Sequence, residues 1–298
     1  MKRFFIAINE EKDPDGSITG KVTDYLSRNG AEYVVSIGNR GIAGTNSPIS
    51  RTSDENKMHE LYADGEPVPE GTECILVLGG DGTLIRAVSE LYAYDVPFVG
   101  INLGHLGYLT EAEVTSVYEV LDHLLADEYS IESRMMLKGE IYREGACIYE
   151  QCSLNDIALS RYGKLQVLHF ELYVDGTYLN TYTADGMIIA TPTGSTAYNL
   201  SAGGPICLPE AELFVVTPVC AHTMNTRSLI LPSGVTIELK ALDRQTEQMT
   251  PIASFDGGYY MLKEGDIIRV RQARNRCRMI KLNHITFLEK LRDKMKSI

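Results

Sequence analysis

The apolar run Cys74-Ile75-Leu76-Val77-Leu78 stops at Gly79-Gly80-Asp81-Gly82-Thr83, and the apolar spacing then becomes helical. A short run buried on both faces, closed by glycines and followed by a helix, is a strand-turn-helix unit that commits this part of the chain to an α/β fold. Glycines let backbone N–H groups approach a ligand closely, and the N-terminus of the following helix favours anions, so the turn suits phosphate. An aspartate there contradicts a plain phosphate cradle. Beside phosphate, a carboxylate is costly unless it holds a divalent cation, accepts a proton or bonds a sugar hydroxyl, so Asp81 reads as chemistry. The plainer alternative is that Asp81 caps a helix beginning near Thr83. The surrounding glycines favour the chemical reading.

Other segments of the first half repeat the alternation. Arg3 to Asn9 reads as a buried strand, Ile18 to Asn29 as a helix ended by Gly30, and Tyr33 to Ile37 as a second strand. Gly38 to Pro69, rich in Gly, Ser, Asn, Pro and charge, reads as a loop. A helix over Leu84 to Tyr92 and a strand at Phe98-Val99-Gly100-Ile101 complete a strand-helix-strand unit of a parallel sheet. After a helix from Thr115 to Ala126, the pattern changes to short alternating segments with turn signals, such as Leu168 to Val174, Asp175-Gly176 and Tyr178 to Tyr182. Met187 to Ala190, Phe214 to Val216, Val235 to Leu239 and Asp266 to Val270 extend this into a mainly antiparallel, β-sandwich-type domain. The expected organisation is an α/β domain over 1–128, a β-rich domain over 129–280, and a helix over 281–298 packed back on the first domain. That helix is expected to turn Ile285, Leu288, Leu291 and Met295 inward, with its basic residues on the other side.

A chain of 298 residues with 44% hydrophobic side chains can bury the cores of two domains. Its formal charge of -12 argues against broad binding to nucleic acid, so an anionic ligand must be held by local groups. With no signal-like start and no apolar run of membrane-spanning length, the expectation is a cytoplasmic protein. Six cysteines without a CxxC pair read as buried free thiols. His59, His123, His169, His222 and His284 lack metal-ligand spacing, so no protein-only metal site is expected; His105 lies in a glycine turn. Arg269, Arg271, Arg274, Arg276 and Arg278 read first as a solvated face and only second as a phosphate site. Gly16 to Val22 imitates a P-loop but is one residue short between its glycines and lacks Ser or Thr after Lys21. Gly100, Gly104 and Gly107 do not have the spacing of a dinucleotide fingerprint.

The longest informative segment runs from Ala184 to Pro205, where the buried strand Met187-Ile188-Ile189-Ala190 enters Thr191-Pro192-Thr193-Gly194-Ser195-Thr196-Ala197-Tyr198-Asn199-Leu200-Ser201. Small residues admit a planar ring, hydroxyls bond adaptably, and Tyr198 can stack on a base or close a pocket. A Thr/Ser turn capping a helix would account for Thr193 to Thr196 alone, but not for the whole length.

Together with Gly79-Gly80-Asp81-Gly82-Thr83, this segment resembles the NAD kinase family. Gly100 to Thr110, Leu154-Asn155-Asp156 and Phe255-Asp256-Gly257 are similar to further motifs of that family and stand in its order. The glycine-aspartate loop is shared with phosphofructokinases and with diacylglycerol or sphingosine kinases; the ordered set is far more specific. The resemblance implies a Rossmann-like, phosphofructokinase-like first domain and a β-rich NAD-binding second domain. It implies Mg-dependent phosphoryl transfer from ATP, polyphosphate or another donor to the adenosine-ribose 2′-hydroxyl of NAD, giving NADP.

By that resemblance Asp81 is the catalytic residue, with Gly79, Gly80, Gly82 and Thr83 forming the phosphate loop. Asp81, Gly82, Tyr108, Asn155, Asp156, Asp185, Thr193, Thr196, Ala197, Tyr198, Ser201 and Asp256 would contact NAD, part of the site coming from a neighbouring subunit of a homo-oligomer, a tetramer by preference. Magnesium would arrive with the donor phosphates, and no permanently bound cofactor is implied. The chain departs from the pattern twice. Asp156 stands where many members have glutamate, and Thr183 stands where some have an arginine two residues before Asp185. The rival readings are a lipid kinase of the diacylglycerol or sphingosine type and a non-catalytic NAD(H) sensor.

Overall fold

The computed structural model describes residues 1–37, 68–104, 107–163, 167–222, 227–242, 249–282 and 286–296. Nearly all of the loop read over Gly38 to Pro69, together with His59, His105, His284 and Ile285, lies outside these residues. In chain order the elements begin with β1 (Arg3–Ile8), α1 (Ser17–Arg28), β2 (Glu32–Ile37), β3 (Cys74–Gly79), α2 (Asp81–Leu91), β4 (Phe98–Asn102), β5 (Ala112–Glu113), α3 (Val117–Leu125) and β6 (Ser130–Arg134). They continue with β7 (Leu137–Arg143), β8 (Ala146–Ser153), β9 (Asp156–Gly163), β10 (Leu168–Val174), β11 (Thr177–Ala184), β12 (Gly186–Ala190), α4 (Tyr198–Ser201) and β13 (Leu213–Val219). The last are β14 (Leu229–Pro232), β15 (Ile237–Leu242), β16 (Met249–Phe255), β17 (Gly258–Met261), β18 (Ile267–Gln272), β19 (Cys277–Lys281) and α5 (Phe287–Lys296). Among the described residues one compact unit contains everything before Arg134 and everything from Cys277 on, and the other contains Arg134–Arg276.

The first unit is built on a sheet in the order β2-β1-β3-β4-β19-β6, with β5 beside β4. β1 runs parallel to both β2 and β3, and β4 runs parallel to β3, β5 and β19. β3 and β4 are buried along their whole length, as unbroken apolar runs in a parallel sheet require. Phe4, Ile6, Leu76, Leu78, Val99 and Ile101 point to the face covered by Val22 and Leu26 of α1 and Leu121 of α3. On the other face Leu84 of α2 approaches Gly100 so closely that a Cβ there would lie 3.0 Å away. The chain moves from β1 to β2 on one side and then returns to place β3 on the other. Ligands of open α/β sheets bind beside the carboxyl ends of strands at such a reversal.

Several local features follow directly from residue type. α1 starts after Gly16, whose φ of +65 suits only glycine comfortably, and the Asp13 carboxylate accepts from the N–H groups of Ile18 and Thr19. The P-loop imitation is thus an ordinary helix start. α2 begins at Asp81, three residues before the helix expected from Leu84, because extended Gly80 is its N-cap and first-turn N–H groups need no intrahelical partner. Ser130–Arg134 and Cys277–Lys281, read from sequence as part of the β-rich domain, lie in the first unit's sheet as β6 and β19.

α5 also differs from expectation. Its buried residue is Lys290, while Leu288 and Met295 are 61% and 63% exposed. Apolar spacing alone selected the wrong stripe, because the inward face of this helix meets polar groups rather than an apolar core.

The second unit consists of two six-stranded sheets, β11-β10-β15-β18-β7-β8 and β14-β13-β12-β9-β16-β17. Neighbouring strands run antiparallel. Leu137, Phe170 and Leu239 from one sheet pack with Ile157, Ile189 and Phe255 from the other in a single core, the sandwich expected from alternation. The β10–β11 hairpin turns at Asp175-Gly176, both with positive φ, as the right-handed twist of a tight hairpin demands. β12 is buried throughout because Met187 and Ile189 face this core while Ile188 and Ala190 pack with Ala158 and Val215 on the opposite face.

Candidate active site

Asp81 stands on the first turn of α2, at the end of β3, yet its carboxylate does not cap its own helix. Oδ2 accepts from the N–H of Tyr108 at 2.7 Å, and Oδ1 accepts from the N–H groups of Leu109 at 3.3 Å and Thr110 at 3.1 Å. The Thr110 hydroxyl adds a fourth bond to Oδ1 at 3.2 Å. The close approach needs Gly107, where a Cβ would lie 1.9 Å from Oδ1. Successive N–H groups converging on one carboxylate fix its orientation. Three of the four bonds fall on Oδ1, which leaves Oδ2 with the freer lone pair.

The expected phosphate loop divides into parts with different surroundings. A Cβ on Gly79 would meet the Thr83 side chain at 2.4 Å, and Thr83 Oγ1 accepts from Asn9 Nδ2 at 3.1 Å and from the Gly80 N–H at 3.4 Å. Gly79 is therefore a packing glycine. Gly80 faces the ammonium of Lys12, 2.7 Å from where its Cβ would be, whereas nothing lies within 4 Å of the corresponding point on Gly82. Asn102, at the end of β4, donates to the Thr110 hydroxyl at 3.3 Å and accepts from the Gly104 N–H at 2.9 Å. The ends of β1, β3 and β4 thus gather Asn9, Asp81 and Asn102, as the strand reversal leads one to expect. Asn9 and Lys12 were not singled out from sequence, and Asn102 and Thr110 entered only within the Gly100 to Thr110 motif without roles of their own; their place after parallel strands, visible once the sheet order is known, points to them.

In the second unit the expected residues gather where β9 starts and β16 turns into β17. Asp256, with φ +48 on that turn, accepts from the N–H groups of Leu154, Asn155 and Asp156 at 2.6, 3.0 and 3.1 Å. Its carboxylate is engaged in clamping this segment. Asp156 is buried, and that burial, helped by the Asp256 charge, pushes its pKa up to about 7. Asn155 is also buried, and its Oδ1 has no hydrogen-bond partner among the described residues. Thr191 Oγ1 donates to the Leu154 carbonyl at 2.6 Å and accepts from the Gly194 N–H at 3.0 Å, tying the two motifs together. Gly194 is required there, since a Cβ would sit 2.1 Å from the Asn155 carbonyl oxygen.

The remaining expected residues differ in exposure. Thr193 is buried and its hydroxyl accepts from Arg134 at 3.4 Å, while Thr196 Oγ1 donates to the Thr193 carbonyl at 3.3 Å. Thr196 and Ala197 are half-buried, and Tyr198 and Ser201 are exposed on the short α4. Burial raises the Tyr198 phenol, with Asp156 and Asp185 adding to the effect. Asp185 pairs with Arg161 of β9 at 3.3 Å. A cation missing at Thr183 is thus present from another strand, while the Thr183 hydroxyl bonds His169 at 3.0 Å.

Two secondary readings resolve plainly. Arg269, Arg271 and Arg276 pair with Glu238, Glu140 and Glu212 at 2.8, 2.6 and 2.6 Å, and Arg278 donates to the Asp95 carbonyl at 3.0 Å. Three of the five arginines are thus held in ion pairs with glutamates. All six cysteines are free, but Cys147 and Cys220 are exposed rather than buried. No described helix is long and apolar enough to cross a membrane.

Residues 4–129 match the family model of the ATP-NAD kinase N-terminal domain, and residues 154–282 match that of the ATP-NAD kinase C-terminal domain. The chain is 44% identical over 306 residues to an NAD kinase of Lachnospira eligens, covering 99% of this chain and 100% of that one. The chain belongs to the NAD kinase family. An NAD kinase of Agathobacter rectalis is 41% identical, with 99% of each chain covered. Among solved structures, yeast NADH kinase complexed with NADH superposes with a TM-score of 0.79, covering 99% of this chain and 88% of that one. An Archaeoglobus fulgidus NAD kinase in complex with ATP gives 0.72, with 100% of each chain covered. Both are 22% identical and speak to the shared fold.

Proposed function

We propose that this chain transfers the terminal phosphoryl group of ATP to the adenosine-ribose 2′-hydroxyl of NAD. The ribose oxygen forms a bond to the γ-phosphorus, the bond from that phosphorus to the ADP oxygen breaks, and the products are NADP and ADP. The hydroxyl proton passes to Asp81 Oδ2. The observation that carries this reading is the Asp81 carboxylate held by three backbone N–H groups and one hydroxyl, with Oδ2 the less occupied oxygen. A carboxylate so held is already aimed, and aiming an acceptor or accepting its proton is the task phosphoryl transfer leaves to the protein.

Asn155 Oδ1, buried and unpaired among the described residues, is the acceptor in the second unit best suited to a dinucleotide hydroxyl or amide. Asp156, Asp185, Thr193, Thr196, Ala197, Tyr198 and Ser201 supply the other NAD contacts, with Tyr198 against the adenine. Gly82 and Tyr108 contact NAD beside Asp81, and Lys12, Gly80 and Gly82 face the donor phosphates. Asp256 acts by holding 154–156. Magnesium enters on the donor phosphates as part of the substrate. Among the described residues the one cluster of possible metal ligands, Glu140, Cys147 and Glu150, has Glu140 already paired with Arg271 and Lys138. Polyphosphate as an alternative donor, a tetrameric assembly and a cytoplasmic location complete the proposal.

The deciding assay incubates purified protein with magnesium, ATP and either NAD or a diacylglycerol or sphingosine lipid, then identifies the phosphorylated product. NADP is expected. A phosphorylated lipid, or NAD bound without NADP formed, would replace the reading with one of its rivals.

A further inference from the structure

Lys290 is 9% exposed, and a lysine so buried requires partners for its ammonium. Nζ donates to the Thr110 carbonyl at 3.2 Å and lies 3.9 Å from Glu111 Oε2. That same carboxylate takes the Lys281 ammonium of β19 at 2.5 Å and the Leu282 N–H at 3.2 Å. Thr110 is also the residue whose N–H and hydroxyl both hold Asp81 Oδ1. One peptide unit therefore separates the C-terminal helix from the reacting carboxylate. Beyond it, the Glu111 N–H is bonded to the Gly100 carbonyl at 2.8 Å, so the segment is tied down on both sides of Thr110. One turn further along α5, Lys294 Nζ lies 6.0 Å from the ring centre of Tyr108, whose N–H holds Oδ2.

We infer that Lys290 is a positioning residue for Asp81: by holding the Thr110 carbonyl from behind, it keeps the N–H groups of 108–110 converged on the carboxylate. The inference rests on the reading of Asp81 as the group that receives or aims the ribose hydroxyl. N–H groups aimed inward leave carbonyls that need donors elsewhere, and an irregular segment has no ladder to supply them. Lys290 provides such a donor, and its positive charge joins that of Lys281 in balancing Glu111 and Asp81.

Burial brings the Lys290 ammonium down to about 8, with Lys281 pushing the same way and Glu111 and Asp81 opposing. It is therefore mostly charged at neutral pH and loses that charge as pH rises through about 8. Turnover should decline over the same range.

The test compares wild type, Lys290→Met, Lys290→Arg and Asp81→Asn with NAD and Mg·ATP across pH 6 to 10. Lys290→Met should lower kcat about tenfold while KM for NAD changes less than about twofold, since aim rather than affinity is lost. Lys290→Arg should recover most of kcat and move the alkaline decline upward, because guanidinium keeps its charge. Wild-type kcat in a folded Lys290→Met protein would overturn the inference. So would an alkaline decline in wild type that Lys290→Arg leaves in place, a result that holds even if Lys290→Met does not fold. An inactive Asp81→Asn beside a fully active Lys290→Met removes only the role of Lys290; an active Asp81→Asn removes the reading of Asp81 itself.

Discussion

Two aspartates in this chain use one device for different ends. Asp81 in the first unit and Asp256 in the second each stand in a glycine-flanked turn and accept three consecutive backbone N–H groups, from 108–110 and from 154–156. Their surroundings differ. Asp81 lies on the first turn of a helix and within electrostatic reach of the buried Lys290. Asp256 faces Asp156, whose burial first, and the Asp256 charge second, push its pKa up to about 7. The same clamp yields an aimed acceptor where a cation is near, and a structural pin beside a buried neighbour whose pKa is raised.

The sharpest way to break this comparison is to neutralise each aspartate. Asp81→Asn should leave the protein folded and reduce kcat by about 10²–10⁴, the usual range for losing a general base. The amide would also turn an N–H donor toward one of the N–H groups it must accept from, so some loosening of 108–110 belongs to the same loss. Steady-state NADP formation measures it, and near-normal turnover would sink the assignment. Asp256→Ala should instead be a stability lesion of about 3 kcal/mol, because N–H groups of a part-buried segment lose their acceptor. Urea unfolding monitored by circular dichroism gives the value; a midpoint equal to wild type would mean that 154–156 does not depend on the clamp.

Asp156 sharpens the contrast through pH. Its folded-state pKa, about 7, is raised above the ordinary value of 3.8, so the folded protein holds a proton that the unfolded chain has released. The Asp156 contribution to stability is full below that ordinary value and is lost as pH rises toward 7. Asp156→Asn should flatten this slope between those limits, as read from unfolding midpoints at a series of pH values; an unchanged slope would remove the raised Asp156 pKa as its source. The smallest effect is expected at Tyr198, a side chain 44% exposed. Tyr198→Ala should weaken NAD binding by about 1 kcal/mol, roughly a single aromatic contact, with kcat little changed. Unchanged affinity by titration calorimetry would exclude an adenine contact there.

Much of this was legible in the chain. The strand before Gly79, the glycine-bounded aspartate, and the buried β12 entering a hydroxyl-rich turn announce themselves through local apolar period and turn chemistry. Asp81 could accordingly be named from the residues alone, whereas Asn155, Asp156, Asp185 and Asp256 were named only through the family resemblance. Their partners could not be named by either route. Lys290 and Arg161 are ordinary residue types in unremarkable contexts, Thr110 stands in a motif without a role of its own, and the inward face of α5 escapes apolar spacing because such spacing assigns an inward face only where the facing surface is itself apolar. What surrounds the expected phosphate loop was not legible either: Gly79 packs against Thr83 and Gly80 faces Lys12.

By itself, then, the sequence determined an α/β unit followed by an antiparallel sandwich, and the glycine-bounded aspartate at the end of β3, because strand and helix periods and the turn preference of glycine are local properties of the chain. Only the tertiary structure decided which aspartate oxygen is left freer, which carboxylate keeps a proton, and that a lysine from the last helix bears on the segment holding Asp81. Those outcomes depend on desolvation and on charges brought together from distant parts of the chain, and neither quantity exists until the chain has folded.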